Sequence, residues 1–398
     1  MKLDIDNIFS KSSIATCGFF IVYPFFVFYH TLISYEIIKP IFGSLLGLAS
    51  LFIVLAFLVN SLNLKHIKCG KINFFEVLVW VFYIYCFLWA LISYTLYSYK
   101  WYVVASFHQV VAYLGVSLCL YLIGKYICLE KIKYINMFGL LSFLLFLFFY
   151  TLTTGSFNFM PNRIGGAEEV VATYQAFSGI VLVMGFIALV TVNNNLGKLS
   201  ILLFVSIIIF YLGSRSELIG FITGGISYLS LYTGIKHKMQ FAVIAIILII
   251  SYIFLDFSLE SISTSRVFEL NDVSSSSSWS ARQDLNYVGV QQVTDSPFFG
   301  FFGGHAYYFG STGAYAHNII SSWVSFGVIG FVIYFSLILS PFTYSIYSLL
   351  SNNYHSDKNK LIFMLSLVCF ILCIISKSVY WTTPAFLWGL MVNRNEIR

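Results

Sequence analysis

The sequence predicts an all-α, polytopic membrane protein of about 12 transmembrane helices, with one large extracytoplasmic loop that holds a short amphipathic helix. Three observations predict it. The 398 residues are 59% hydrophobic and only 10% charged, whereas soluble domains carry about 25% charged residues. Apolar stretches near the ~20 residues needed to cross a bilayer recur from one end of the chain to the other. The basic residues between those stretches are sorted by side. So apolar a chain has too little polar surface to cover a water-facing globule. In lipid, every backbone polar group must be paired within the protein, which leaves helices or a closed barrel. Runs such as 138–150 and 241–252 do not alternate with polar residues as barrel strands do.

Spans are expected at 14–33, 40–60, 74–97, 104–124, 135–153, 172–192, 199–213, 216–234, 239–256, 317–348, 361–376 and 378–392. The first lacks a small-residue cleavage site and runs long, so it reads as an uncleaved span. No repeat and no soluble domain is evident, and 1–398 reads as one integral membrane domain with a large loop at 257–316. The seven cysteines are scattered; only Cys369 and Cys373 are close, at i,i+4 in an apolar helix, and no disulfide framework emerges.

Orientation follows from Lys and Arg in short loops. With the N-terminus inside, 15 of the 22 basic residues fall on the cytoplasmic side, and both termini are cytoplasmic. The net charge of +6 then reads as anchoring to anionic membrane lipids, and no nucleic-acid partner is called for. The type of base is sorted too. Thirteen of the 15 inside residues are Lys, whereas the outside set is Lys39, Lys100, Arg163, Arg215, Arg266, Arg282 and Lys377. Topology does not require Arg outside, and Arg offers a rigid fork of donors suited to phosphate.

The 257–316 loop begins with a five-serine run, Ser274–Ser278. Ser280 and Gln283 then fit a capping box, and Trp279, Leu285, Val288 and Val293 fall near one face of a short helix. Asp295-Ser296-Pro297 stops that helix. A Gly- and aromatic-rich stretch, Phe298 to Tyr315, leads to Ala316-His317-Asn318 at the membrane. A surface helix followed by such a stretch can roof a cavity.

Arg215 lies in Gly213-Ser214-Arg215-Ser216-Glu217, where Ser214 and Glu217 have capping-box spacing. This sets Arg215 in the first turn of an outward-opening helix start, an anion site by its exposed amides and dipole. A cation there lies at the wrong end of the dipole for a mere anchor. Arg282 occupies the first turn of the loop helix in the same way. Arg163, after Pro161-Asn162, shares its loop with Glu168 and Glu169, and a local ion pair explains it equally well. Arg266, in a Ser-rich stretch, reads as solvated. His317 is of the residue type whose ordinary pKa, about 6.5, suits proton transfer near neutral pH. His305 is a weaker alternative, and Asn318 is a candidate to orient His317 or bind substrate. HExxH, Cys/His clusters, Walker A, dinucleotide and GxSxG patterns are all missing from the sequence, so no metal, ATP or cofactor is signalled. Lys377, between the two final spans, is the main charge away from a span end.

In order, the chain offers Ser214-Arg215, Arg282 on an amphipathic helix, Ser296-Pro297, Gly300, Gly303-Gly304, His317-Asn318 and Gly327-Val328-Ile329-Gly330. Over residues 213–340 this resembles the bacterial O-antigen polymerase and O-antigen ligase superfamily. In that family an acidic residue often precedes the Gly-x-x-Gly, but Ser325-Phe326 stands here. The resemblance implies a GT-C-like fold and a metal-independent, inverting glycosyltransferase of the bacterial inner membrane, without cofactor, whose active site faces the periplasm. Its donor would be a glycan on undecaprenyl diphosphate. Arg215 and Arg282 would hold the diphosphate, and His317 would be the general base for the acceptor sugar hydroxyl. A chain-length regulator protein would be a partner. A polymerase accepts another lipid-linked repeat unit, and the richness in Phe, Ile, Tyr, Asn and Ser favours this reading. The alternatives are a ligase that accepts the lipid A core and a transporter of lipid-linked glycan.

Overall fold

The computed structural model describes residues 10–34, 38–39, 45–62, 73–154, 159, 174–232, 277–351 and 356–393. Among these the chain is helical, with no strands. It opens with α1 (Lys11–Phe20), a π turn (Ile21–Phe25) and α2 (Phe26–Ser34). Pro24 explains the π turn, because it removes an N–H and crowds the preceding turn. Then come α3 (Leu45–Leu62), α4 (Phe74–Tyr97), α5 (Trp101–Tyr126), α6 (Leu129–Thr154), α7 (Tyr174–Thr191), α8 (Asn195–Tyr211) and α9 (Arg215–Tyr232). After an interval come α10 (Ser277–Asp295), α11 (Gly304–Phe309), α12 (Ile320–Leu350), α13 (Asp357–Ile375) and α14 (Thr383–Val392). Seven helical stretches, with α1–α2 counted as one, are long and apolar enough to cross a membrane. The chain is therefore a polytopic α-helical membrane protein.

The expected span at 239–256, Arg163, Arg266 and the start of the large loop lie outside the described residues. The span expected at 378–392 needs correction. Its helix, α14, holds 10 residues and is about 15 Å long, half of a ~30 Å hydrocarbon core. It is also buried almost throughout, with Trp388 donating to the Leu337 carbonyl at 3.1 Å. Gly124 and Gly389 face each other, and a Cβ on either would run into the other helix's backbone, so α5 and α14 pack at backbone distance.

The lower end of α14 is well fixed. Asn393 donates to the Gly124 and Ile127 carbonyls at 3.1 and 2.9 Å, and Lys358 donates to the Asn393 carbonyl at 2.6 Å. Lys11, Lys125, Lys131, Lys133, Lys198, Lys358 and Lys360 all belong to this end of the bundle by helix connectivity. Because α14 reaches only half-way up, the 376–382 connection descends from the other end to mid-depth.

The loop helix is seen from Ser277 to Asp295, starting earlier than its capping box suggests. It packs Leu285, Val288, Gly289 and Gln292 toward Ala316, Ser321 and Val324. The aromatic stretch after it is not structureless: it contains α11. Its first residues dock into a break in α12 at Gly327, whose φ of 68° and ψ of −176° favour glycine. There Phe301 N–H donates to the Val324 carbonyl at 2.7 Å and Val328 N–H donates to the Phe298 carbonyl at 3.3 Å.

Candidate functional site

The site is organised by the 376–382 connection. The amides of Ser376 and Lys377 both turn back to the Leu372 carbonyl, at 2.8 and 2.7 Å, and close α13. Two serines one turn apart on α12 then hold the segment. Ser321 Oγ accepts from Val379 N–H at 2.8 Å, and Ser325 Oγ accepts from the Tyr380 hydroxyl at 3.2 Å. Ser325 thus takes a phenol hydrogen bond on α12, two residues before the break at Gly327. Pro384 in the first turn of α14 suits the restart of the helix, where its N–H is not needed.

Irregular backbone at membrane depth is tolerated where it is buried in protein or lines a cavity. Here it lines a cavity of about 190 Å³. The mouth carries Gln175, Tyr315, His317, Lys377 and Ser378, and the wall adds Tyr380, Trp381, Thr382 and Thr383. The floor is apolar: Val22, Leu46, Leu120, Ile180 and Val183. Gln175, Gly179 and Val183 follow one another along one face of α7, so the groove runs about 12 Å down that helix. A polar, cationic mouth over an apolar floor fits an amphiphile with an anionic head.

His317 lies just before α12, half-buried, its ring 5.3 Å from that of Tyr315. Burial first, and then the positive charges of Arg282 and Lys377, push its pKa down to about 4. The imidazole is therefore neutral at pH 7, and two cations lie close enough to act on it. Tyr315 is pushed up by burial, partly offset by a hydrogen bond from Ser378. Its ring lies 5.6 Å from that of Tyr380.

Arg282 sits on α10, half-buried, and reaches the site through its charge on His317. Arg215 opens α9 and is also half-buried. Neither arginine is among the residues lining the cavity. Arg215 is joined to it through Glu217, two residues on. Glu217 is fully buried and forms an ion pair with Lys377. Its other oxygen accepts from Ser214 Oγ and, at 2.8 Å, from Ser216 Oγ. The Ser214–Glu217 spacing that reads as a helix cap therefore serves a bridge from α9 to the cavity wall.

His305 and Asn318 occupy supporting positions. His305 on α11 is buried, with its pKa pushed down to about 4 by burial, and its Nε2 lies 3.2 Å from Gln109 Oε1. Gln109 also donates to the Thr312 carbonyl at 3.0 Å, so it fastens the aromatic stretch to α5. Asn318 Nδ2 donates to Asn286 Oδ1 at 2.7 Å, and its Oδ1 accepts from Ile320 N–H at 3.0 Å. It thereby ties α10 to the start of α12.

Sequence reasoning passed over Glu217, Tyr315, Tyr380 and Trp381, and saw Lys377 only as a misplaced charge. The available signal was a single Lys flanked by Ser376 and Ser378 in an apolar tail, with an acid just after Arg215. Compared with known proteins, the chain matches no family model, no curated protein and no solved structure.

Proposed function

We propose that the chain is a polysaccharide polymerase that joins lipid-linked glycan repeat units at the outer face of a bacterial inner membrane. The observation that carries this is His317 at the mouth of a half-polar, half-apolar groove, under the charges of Arg282 and Lys377. The resemblance over residues 213–340 supplies the reaction class. The gathering of lysines at the opposite end of the bundle supports a cytoplasmic placement of that end, which turns the groove outward.

In this reading the polyprenyl chain of the donor follows the apolar floor and its diphosphate lies at the mouth. The acceptor hydroxyl oxygen attacks the anomeric carbon from the face opposite the diphosphate. The anomeric C–O bond to the diphosphate breaks, and its electron pair leaves on the diphosphate oxygen. His317 takes the acceptor proton. A neutral imidazole is the form needed, and it is the form that burial and the two cations enforce. A base with so low a pKa is weak when the site is empty. The arriving diphosphate offsets the positive charges and brings His317 back toward the range where it works well. Arg282 and Arg215 act on the charge that grows on the leaving group.

The test is a strain that lacks this chain. Lipopolysaccharide should then carry one repeat unit on its core, and the His317→Ala variant should reproduce that pattern while remaining in the membrane. General-base assistance is commonly about 10²–10⁴-fold, so a normal ladder in that variant removes His317 from the mechanism. A core with no repeat unit at all would point to a ligase instead. Vesicle transport of lipid-linked glycan without joining would point to a transporter.

A further inference from the structure

Lys377 is the group whose placement the reaction just described does not explain. It is 5% exposed, two residues past the end of α13. Taking an ammonium out of water is costly without a partner, and Glu217 supplies one. Glu217 itself is fully buried and takes hydroxyl donors from Ser214 and Ser216 on its second oxygen. The ammonium lies against one carboxylate oxygen and the two hydroxyls hold the other. Its nitrogen also lies 5.9 Å from the Trp381 ring centroid, and the side chain lines the cavity. The pair therefore presents the positive end to the cavity and keeps the negative end behind it.

We propose that Lys377 is an anion-binding residue of this groove, that it meets the phosphate of a polyprenyl-linked ligand, and that Glu217 is its positioning residue. The proposal rests on the glycan-joining reading for the identity of that ligand. Arg282 and Lys377 both act on His317 beside the cavity, so a phosphate there meets cations from two different elements. The Ser214-Arg215-Ser216-Glu217 run then becomes one device. It sets Arg215 at the start of α9 and, two residues later, aims the lysine of a different helix.

The test uses the full chain in lipid nanodiscs, titrated with polyprenyl diphosphate and, separately, with inorganic pyrophosphate. Binding is followed by the fluorescence of Trp381, with Trp381→Phe as the control for its signal. Lys377→Ala should weaken binding of polyprenyl diphosphate by about tenfold or more, and Lys377→Arg should stay within about threefold of the parent protein. Glu217→Gln removes the carboxylate that positions the ammonium. Its binding of polyprenyl diphosphate should weaken several-fold and recover in Glu217→Asp, which restores a carboxylate behind the lysine. Because either single change leaves a buried group without its partner, the Lys377→Met/Glu217→Gln pair is the second variant. It removes both charges together, should fold, and should bind as weakly as Lys377→Ala. Parent-like binding in that folded double variant, or in Glu217→Gln, overturns the proposal. If inorganic pyrophosphate binds as tightly as the lipid, the groove recognises free phosphate and the lipid assignment is wrong. The glycan-joining reading fails separately, by an absence of elongation in a parent protein that still binds polyprenyl diphosphate through Lys377.

Discussion

Two lysine–glutamate pairs tie helices together at opposite ends of the bundle, and their surroundings differ. At the basic end, Lys125 in the last turn of α5 pairs with Glu76 in the first turn of α4. Each charge suits the helix end it occupies. Both side chains keep access to solvent, 20% and 17% exposed, and the ammonium lies 5.5 Å from the Tyr126 ring. At the other end Lys377 and Glu217 are 6% and 0% exposed, two serines support the carboxylate, and a cavity opens beside the ammonium. The first pair joins two helices and is otherwise complete. The second is buried, and its cation faces empty space. The difference teaches that a charge pair by itself says little, whereas a buried pair that presents one charge to a cavity marks a place where a ligand can complete the set.

The largest predicted effect sets the two pairs against each other. Lys377→Ala leaves Glu217 as a buried carboxylate without its cation, and breaking a buried pair this way costs about 3–5 kcal/mol. Lys125→Ala acts on a pair that keeps access to water and leaves Glu76 the Tyr121 hydroxyl, so it should cost clearly less. Thermal unfolding in detergent should therefore separate the variants clearly, and only Lys377→Ala should also lose glycan elongation. Equal loss of stability in both would erase the distinction between the two ends.

The next effect concerns the break that seats the loop. Gly327 holds φ 68° and ψ −176°, and a Cβ there would strike the Phe298 carbonyl. Backbone strain of this kind costs of order 1–3 kcal/mol for any other residue. Gly327→Ala should lower the unfolding temperature and loosen the segment before α11, which protease cleavage in the 298–310 region would report. Gly179 on α7, by contrast, has room for a methyl group and should tolerate the same change: its Cβ would meet Thr383 Oγ1 and Trp381 Nε1 at 3.6 Å.

The overall architecture could be read from the sequence because lipid imposes so few choices. Apolar length alone located the helices from 74 to 97, 104 to 124 and 361 to 376 to within a few residues. A helix within the loop was legible from Leu285, Val288 and Val293, and His317 was legible as the titratable residue just before a long apolar helix. What hydropathy could not report was depth. Residues 378–392 are apolar enough to look like a span, yet Thr383–Val392 is only a half-length helix enclosed by others. A window average does not distinguish a helix buried in protein from one facing lipid. The Glu217–Lys377 pair was hidden for a related reason. Its partners are 160 residues apart in sequence and meet only because α9 packs against α13, a contact that no local spacing encodes. Glu217 also had a sufficient local explanation as a helix cap, which removed any reason to look for a distant partner.

A pH measurement sharpens the view of the site end. His317 is held at about 4 by burial, then by Arg282 and Lys377. A depressed pKa means that the neutral base persists as the medium is acidified. The elongation rate at low substrate should stay level through neutral pH and fall only as pH approaches about 4. Arg282→Gln removes one of the two positive charges, so the pKa of His317 should rise toward its ordinary 6.5 and the acid limb should move up with it. An unchanged limb in Arg282→Gln would mean that the Arg282 charge does not reach His317, and the site would lose one of its two cations.

The smallest effect tests whether α12 aims the cavity wall. Ser325 Oγ accepts the Tyr380 hydroxyl at 3.2 Å, on the same helix face as Ser321, which accepts Val379 N–H at 2.8 Å. Ser325→Ala removes a single neutral hydrogen bond, worth about 0.5–1.5 kcal/mol, and leaves the Ser321 contact to hold the backbone. Stability should barely move. Tyr380 also packs tilted against Tyr315 and edge-on to Tyr113, with centroids 5.6 and 5.7 Å away, so its ring should stay while its hydroxyl loses a fixed direction. The consequence should appear as a few-fold rise in the KM for the lipid-linked substrate with little change in kcat. Ser325→Asp places a carboxylate next to the Tyr380 hydroxyl. If Tyr380 uses Ser325 only as an acceptor, a carboxylate there should accept the same hydroxyl and keep the KM near that of the parent. A fall in kcat in Ser325→Asp would instead mean that negative charge behind Tyr380 disturbs the mouth, and that the serine was needed there because it is neutral.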